Sequence, residues 1–266
     1  MPLTEFQREV FRVLKGNRSP DSFVMRATVL HARADSPRFS RDIDLSHDIA
    51  ESVAKSAELD SAALGVTGYD VEFLIQQPTF QRATVAREDG QVLLEWVFDS
   101  AFRFFPIETD PELGFRLHFF DAATNKVLAL ASRSEARDFV DALELHRNHL
   151  SIGALAWAAA GKDEGLNPML ILELSDRFAH HRQAEIDSLD LAEPLDLKEL
   201  RDEWQVALQE GRELVTTLPV KEVGCLYLDN HQQVVEPDPH SDEFNKLRRH
   251  FGSVGGAWPR IGGGEL

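Results

Sequence analysis

The run from Phe39 to Leu45 constrains the fold of this chain more than any other stretch. Within it, Asp42 and Asp44 alternate with the apolar residues Ile43 and Leu45. If the run is a strand, the apolar side chains enter the core and both carboxylates lie on one face, with Cα atoms roughly 7 Å apart. Because neighbouring like charges repel, the pair could clamp one divalent cation, or two about 4 Å apart. The alternative is an edge strand with an acidic solvent face.

Composition limits the class of protein. The chain has 266 residues, of which 43% are hydrophobic, enough for one large domain or two modest ones. The formal net charge of −17 argues against non-specific binding of duplex nucleic acid through a broad basic surface. A nucleotide held through a metal and a local basic cleft, or a basic partner protein, remains compatible with that charge.

Targeting and redox features are sparse. No apolar run is long enough to span a membrane, and the charged segment from Met1 to Gly16 lacks the pattern of a secretory signal. The single Cys225 excludes an internal disulfide and a cysteine zinc cluster. We therefore expect a reducing compartment, the cytoplasm.

Hydrophobic periodicity predicts strands and helices mixed up to about residue 120 and mainly helices after it, which is an α+β fold. The predicted strands cover 23–25, 39–45, 69–75, 80–86, 91–98, 115–119 and 223–228, with a turn at Asp89-Gly90. The predicted helices are one capped by Thr4, then 27–34, 48–64 ended by Gly65, 122–131, 135–145 capped by Ser134, 152–160, 169–178 and 197–214. We divide the chain into a head (1–120), a helical domain (121–215) and an extension (216–266) with a loose Gly-rich tail.

A metal site built on the aspartate pair needs a third acidic ligand. Glu95 is the best candidate because it interrupts the apolar run from Val92 to Phe98, where a buried carboxylate is costly without a cation or donor. Asp99 is the second choice. The alternative is that Glu95 points outward from an alternating strand.

A second group of charged residues surrounds the predicted helix at 122–131. Lys126 and Arg133 bracket it and could meet phosphates. Asp138 and Asp141 are three residues apart and share one helix face. Taken alone, this group is more simply a solvated face with local ion pairs, such as Arg137 with Asp141.

Taken together, these segments resemble one family. Ser40-x-Asp-Ile-Asp-Leu is followed by Ala-x-Asn-Lys-x-Leu-Ala-Leu-x-Ser-Arg and then Arg-Asp-Phe-x-Asp-Ala-Leu-Glu-Leu. Their order and spacing are similar to those of the AbiEii/AbiGii toxin nucleotidyltransferases of abortive-infection toxin–antitoxin systems. The resemblance runs from about Phe23 to Leu145. It implies a polymerase-β-like nucleotidyltransferase head with a mixed sheet, followed by a mainly helical C-terminal part.

The resemblance also implies roles for single residues. Asp42 and Asp44 would be the carboxylates that bind Mg²⁺. Glu95, selected above because it interrupts an apolar run, is our candidate for the third ligand. Lys126 would contact the triphosphate, and Asp138 would be the last catalytic acid. The further residues that we predict to bind substrate are Arg26, Thr28, Ser40, Arg133 and Arg137.

One departure from the family pattern concerns a pair of glycines, or Gly-Ser, before a Thr-x-Leu upstream of the aspartates. Here Arg26 and Ala27 stand before Thr28. Glycines at such a place let backbone N–H groups approach phosphates. Arg26 either supplies a positive charge to the phosphates instead or blocks the pocket.

The sequence therefore predicts a magnesium-dependent, toxin-like nucleotidyltransferase that moves a nucleotide from a nucleoside triphosphate to an RNA or protein acceptor. The resemblance suggests tRNA, because some family members modify tRNA ends, and an antitoxin as protein partner. No membrane association is expected. One alternative is an inactive or altered member of the same fold that acts as a binding or regulatory protein. Another is an unrelated α+β protein with chance motif matches.

Overall fold

The computed structural model describes residues 3–31, 38–40 and 42–259. The chain forms two compact units. The sheet unit comprises Met1–Ala101 and Ile107–Ala122, and the helical unit comprises Phe102–Pro106 and Ala123–Leu266. The division into three segments made from the sequence stays a prediction.

The secondary structure of the described residues follows the predicted mixture. The α-helices are α1 (Glu5–Leu14), α2 (Ala27–Leu30), α3 (Ala50–Val66), α4 (Phe119–Ser132), α5 (Ala136–Asn148), α6 (Ile152–Ala159), α7 (Pro168–Phe178), α8 (Gln183–Asp187) and α9 (Leu197–Thr217). The strands are β1 (Ser22–Val24), β2 (Asp42–His47), β3 (Asp70–Gln77), β4 (Phe80–Arg87), β5 (Gly90–Phe98), β6 (Phe102–Arg103), β7 (Glu108–Asp110), β8 (Gly114–Arg116), β9 (Cys225–Leu228), β10 (Arg248–Phe251) and β11 (Ser253–Val254).

One mixed sheet organises the sheet unit. Within the described residues it has seven strands in the order β3-β4-β5-β2-β1-β8-β7. β2 runs parallel to β5 and β1 parallel to β8, while the other neighbours are antiparallel. The hairpin between β4 and β5 turns one residue before the predicted Asp89-Gly90 signal, because Arg87 pairs with Gly90 and leaves Glu88 and Asp89 as the two-residue loop. Consequently β2, which carries the aspartate pair, is the central strand.

A buried charged pair ties α3 to this sheet. Asp60 on α3 accepts hydrogen bonds from Trp96 Nε1 of β5 at 2.7 Å and from Arg18 at 2.6 Å. Neither Arg18 nor Asp60 exposes any of its side chain. Because each charge is fully paired and hydrogen-bonded, the cost of desolvating it is offset.

Helix α1 begins as the sequence predicts. Thr4 Oγ1 accepts from the N–H of Gln7 at 3.1 Å, and Gln7 Oε1 accepts from the N–H of Thr4 at 2.9 Å, forming a capping box. Val10, Phe11 and Leu14, at helical spacing, are completely buried.

The predicted end of α3 at Gly65 was wrong. The helix continues to Val66, and the residue that ends it is Gly68, whose φ of 88° is the left-handed conformation that favours glycine. The N–H of Tyr69 bonds to the carbonyl of Leu64 at 3.1 Å, and that of Gly68 bonds to Gly65 at 3.1 Å. This pattern closes a helix C-terminus.

Three further predictions about where elements begin or end need correction. The extended segment predicted for 115–119 stops at Arg116, and α4 begins at Phe119 because His118 Nδ1 accepts the N–H of Phe120 at 3.3 Å, as a capping side chain does. Ser134 does not cap α5. Its hydroxyl donates to the carbonyl of Phe178 at 3.1 Å instead. The helix predicted at 27–34 ends at Leu30, and residues 32–37 lie outside the described residues, as does Arg41 in the predicted strand 39–45.

The helical unit is built around α6. Every residue of α6 is buried, so other elements cover it all round. It meets α9 where Gly153 faces Gly211, since a Cβ built on Gly153 would lie 2.7 Å from the Cα of Gly211. Trp157 of α6 also donates to the carbonyl of Glu222 at 2.9 Å.

Part of the tail predicted to be loose is paired. Ser253 and Val254 form β11 against β6, and the N–H of Ala257 bonds to the carbonyl of Phe104 at 3.1 Å. Residues 260–264 of that tail lie outside the described residues. None of the described helices combines the length and apolarity required to cross a bilayer.

Candidate active site

The aspartate pair lies on β2 as the alternation predicts. Ile43 and Leu45 are completely buried, and Asp42 and Asp44 are on the opposite face of the strand. Parallel pairing with β5 sets Asp44 beside Glu95 in register. The sheet therefore brings together two of the carboxylates that the sequence analysis selected, from segments about fifty residues apart.

Arg26 joins these two carboxylates. Its Nη1 donates to Asp44 Oδ1 at 2.6 Å and to Glu95 Oε2 at 2.9 Å. The side chains of Asp44 and Glu95 are each 8% exposed, whereas that of Arg26 is 37% exposed. A single guanidinium thus compensates two nearly buried acids, and its own surface still reaches solvent.

The backbone at Arg26 has a conformation typical of glycine. Its φ is 57° and its ψ is −137°, the region of the first central residue of a type II′ turn. Among the described residues other than glycine, Gln232 is the only other one with positive φ. The departure from the family pattern therefore falls where the backbone favours glycine, and the arginine adopts that conformation at a cost of about 1–3 kcal/mol.

Asp44 and Glu95 differ in pKa. Burial raises the pKa of Asp44 to about 6, the charge of Arg26 opposes this rise, and the charge of Glu95 adds to it. Burial also acts to raise the pKa of Glu95, but hydrogen bonding to Arg82 and the charges of Arg26 and Arg82 hold it below its usual range. Of the pair, Asp44 is therefore the acid that takes up a proton first.

Arg82 was missed by the sequence analysis. Its Nε donates to Glu95 Oε1 at 2.8 Å, from the neighbouring strand β4. The hairpin register pairs Arg82 directly with Glu95. Counting pairs outward from the predicted Asp89-Gly90 turn would have set Arg82 opposite Val97 instead, because the residues of a two-residue loop fix which residues face each other and the actual loop is one residue earlier.

The chemistry of these acids suits a magnesium ion, but their present arrangement does not. Carboxylate oxygens are the ligands that Mg²⁺ prefers. However, among the residues that the structure describes, no three His, Cys, Asp or Glu side chains are grouped to hold a metal ion. Oxygens of Asp44 and Glu95 accept from Arg26 instead. A metal bound by these acids and Asp42 requires Arg26 to move.

The predicted substrate-binding hydroxyls contact the backbone at the start of β2. Ser40 Oγ donates to the carbonyl of Asp42 at 3.2 Å, and Thr28 Oγ1 donates to the same carbonyl at 3.5 Å. Both are buried. In this structure they hold the strand that carries the aspartates, and their contact with substrate stays a prediction.

A second charged cluster lies in the helical unit. Lys126 Nζ contacts Asp138 Oδ1 at 2.6 Å and Asp141 Oδ2 at 2.9 Å, and Arg133 Nε donates to Asp138 Oδ2 at 2.7 Å. Lys126, Asp138 and Asp141 are nearly or completely buried, so they do not form the solvated face that was the alternative. Burial acts to raise the pKa of Asp138, but the charge of Lys126 and the hydrogen bonds from Arg133 and Lys126 hold it below its usual range.

Two other candidates make different contacts. Arg137 Nε lies 3.9 Å from Glu135 Oε2 on the half-exposed start of α5. Asp99, the second choice for a metal ligand, accepts from the N–H of Ser100 at 2.8 Å just after β5. The part of Arg137 in substrate binding stays a prediction.

Comparison of the sequence with protein families gives one match. The family described as the nucleotidyl transferase AbiEii toxin of type IV toxin–antitoxin systems matches residues 18–224. This confirms the resemblance inferred from the motifs and excludes a chance similarity. A comparison with curated proteins found none that matches.

Solved structures support the fold. JHP933 from Helicobacter pylori has a TM-score of 0.56 and 17% sequence identity, covering 80% of this chain and 95% of its own. MenT4, a nucleotidyltransferase toxin from Mycobacterium tuberculosis, has a TM-score of 0.56 and 17% identity, covering 81% of this chain and 83% of its own. The predicted fold, a mixed-sheet head with helices after it, is confirmed.

Proposed function

The chain belongs to the AbiEii nucleotidyl transferase toxin family and is a toxin-type nucleotidyltransferase. From this premise we propose that it transfers a nucleotide from a nucleoside triphosphate to an RNA or to a protein. Among RNAs, tRNA is the first acceptor to test. The observation that carries the proposal is the family match together with the acidic pair of β2, whose Asp44 lies in register with Glu95 on β5. We further propose that an antitoxin binds the protein and that it acts in the cytoplasm.

The residues of the chain have separable parts in this proposal. Asp42, Asp44 and Glu95 would hold Mg²⁺. Once held there, the ion would supply Lewis-acid stabilisation of charge at the α-phosphate and would lower the pKa of an acceptor hydroxyl. The family resemblance gives Lys126 the contact with the triphosphate, where it would neutralise negative charge on the departing pyrophosphate, and Asp138, 2.6 Å from its Nζ, would orient the ammonium. Most of the rate enhancement then comes from positioning and electrostatics, as in other phosphate chemistry.

A labelling experiment tests this proposal. The purified chain is incubated with Mg²⁺, total RNA and each of the radioactive nucleoside triphosphates in turn, and the products are separated on denaturing gels for RNA and protein. We expect label in one size class of RNA with the wild type and none with Asp44→Ala. The matched control is Asp70→Ala, an exposed aspartate at the start of β3, which should label as the wild type does. Transfer retained by Asp44→Ala would rule out the assigned site.

The contact of Arg26 with Asp44 and Glu95 favours a second candidate function. If the guanidinium fills the cation position permanently, the chain is a non-catalytic member of its family that binds or regulates a partner. Calorimetry with millimolar nucleoside triphosphate and Mg²⁺ separates the two candidates. Binding supports the transferase, and no heat of binding, with no label transfer, supports the regulator.

A further inference from the structure

The bridge made by Arg26 combines features that a purely structural ion pair does not need. Its backbone keeps a strained φ of 57°, at the N-terminal boundary of a helix of only four residues, Ala27–Leu30. Local backbone preference therefore does not explain the position of this side chain. The contacts at its far end, with two acids on the central strands, stabilise it instead.

The two acids require a positive charge between them. Asp44 and Glu95 are neighbours across β2 and β5, and each side chain is 8% exposed. Like charges placed opposite each other on a sheet are destabilising. Arg82 satisfies one oxygen of Glu95, at 2.8 Å, whereas Arg26 joins both acids. The guanidinium of Arg26 thus occupies the place where a cation would compensate both carboxylates.

The same bridge is the part of the cluster that can leave. The side chain of Arg26 is 37% exposed, compared with 8% for the acids it joins. Turning it toward solvent breaks two hydrogen bonds but does not open the core, because completely buried neighbours such as Ile43 and Leu45 lie on the other face of β2. The departure of the guanidinium would expose two carboxylates already set side by side.

We infer that Arg26 is the resident cation of this site, and that it competes with a divalent cation for the oxygens of Asp44 and Glu95. The inference rests on the proposed function in one respect, namely that these acids belong to the nucleotide-transfer site. In the resting protein the guanidinium excludes the metal. When the metal binds, Arg26 turns outward, where its charge can meet the phosphate chain that arrives with the ion. Arg26 therefore sets how tightly the site holds a metal in the absence of substrate.

Manganese binding tests this exchange without relying on activity. The probe is Mn²⁺ alone, because the paramagnetic resonance signal of the free ion disappears when protein binds it. The full chain is titrated as wild type, Arg26→Gly and the double variant Arg26→Gly with Asp44→Asn. We expect Arg26→Gly to bind Mn²⁺ at least about tenfold more tightly than the wild type, a difference of about 1.4 kcal/mol. The double variant should lose the gain.

Gln232→Gly is the matched control. It also replaces a side chain at positive φ, 63°, with glycine, but Gln232 is not part of the acidic cluster. Its affinity for Mn²⁺ should equal that of the wild type. A thermal unfolding curve of each variant, with and without Mn²⁺, checks folding, and the ion should raise the melting temperature of Arg26→Gly more than that of the wild type. If Arg26→Gly does not fold, Arg26→Asn replaces it, since asparagine tolerates positive φ and carries no charge.

Equal affinity for Mn²⁺ in the wild type and the folded Arg26 variant overturns the inference, whether both bind the ion or neither does. This result is distinct from failure of the proposed function. If the wild type transfers label but its affinity for Mn²⁺ does not depend on Arg26, the proposed function holds and the inferred exchange of Arg26 for a metal is wrong. If Arg26→Gly binds Mn²⁺ tenfold more tightly but no variant transfers label, the inferred exchange is supported and the proposed function is wrong.

Discussion

Replacing Lys126 with methionine should reveal how strongly the buried cluster of the helical unit depends on its ammonium group. The side chain of Lys126 is 7% exposed, and those of Asp138 and Asp141 are 0% and 1% exposed. Methionine keeps most of the apolar stem but leaves two carboxylates without the cation that contacts both. Removing one partner of a buried ion pair typically destabilises a protein by about 3–5 kcal/mol.

The structure places the expected loss near the lower end of that range. Arg133 still donates to Asp138 at 2.7 Å after the substitution, so one carboxylate keeps a partner. We therefore expect Lys126→Met to lower the free energy of unfolding by about 3 kcal/mol. With a urea dependence of about 2 kcal/mol per molar, the midpoint of the transition falls by about 1.5 M.

The assay is urea unfolding followed by tryptophan fluorescence, because Trp157 and Trp204 are buried in the helical unit. Lys246→Met is the matched control. Lys246 Nζ lies 2.7 Å from Glu243 Oε1, but both side chains are 70% exposed. Its loss should cost less than about 0.5 kcal/mol, since exposed pairs contribute little.

The outcome that refutes this reasoning is a midpoint for Lys126→Met no lower than that of the exposed control. The cluster would then be hydrated, and the burial of its carboxylates would not decide its energetics. A double-mutant cycle sharpens the test. Adding Asp141→Asn to Lys126→Met should recover part of the loss, because it removes the negative charge of the other buried carboxylate that contacted the ammonium group, at 2.9 Å.

Other predictions concern the rest of the chain. Burial and the charge of nearby Arg18 lower the pKa of His47 from its usual 6.5 to about 4. The neutral imidazole therefore contributes its full stabilisation of the fold above pH 6.5. As the pH falls to 4, the free energy of unfolding should drop by about 3 kcal/mol. Urea unfolding of the wild type and His47→Gln across that range should converge at low pH, and parallel curves would contradict the assignment. Gly153→Ala should lower the free energy of unfolding by about 1–3 kcal/mol, because the added Cβ meets the backbone of α9. The control Gly65→Ala, in open space within α3, should raise it by about 0.5–1 kcal/mol. Equal melting temperatures of the two variants would refute the close approach of α6 and α9. Burial raises the pKa of Cys225 to about 12, so iodoacetamide should alkylate it in urea but not in the native protein, and fast native labelling would show the thiol to be exposed.

Local chemistry explains how much of the site the sequence could predict. The alternation in β2 depends only on the two-residue period of a strand, so the common face of Asp42 and Asp44 could be inferred from their spacing. The anomaly of Glu95 within an apolar run was equally visible. The order of the motifs gave the family, which the match over residues 18–224 confirms. The capping box at Thr4 could also be read directly, because its partners are three residues apart.

Contacts between distant segments decided the rest. Nothing near Arg26 in the chain indicates that its guanidinium reaches Glu95, which is 69 residues away, because the pairing of β2 with β5 creates that neighbourhood. The end of α3 at Gly68 rather than Gly65 depended on which glycine takes the left-handed conformation, and both are glycines in sequence. The sequence alone determined which groups carry charge and where local periodicity places them. Tertiary structure determined which charges compensate each other, since ion pairing depends on distance and burial in space, not on separation along the chain.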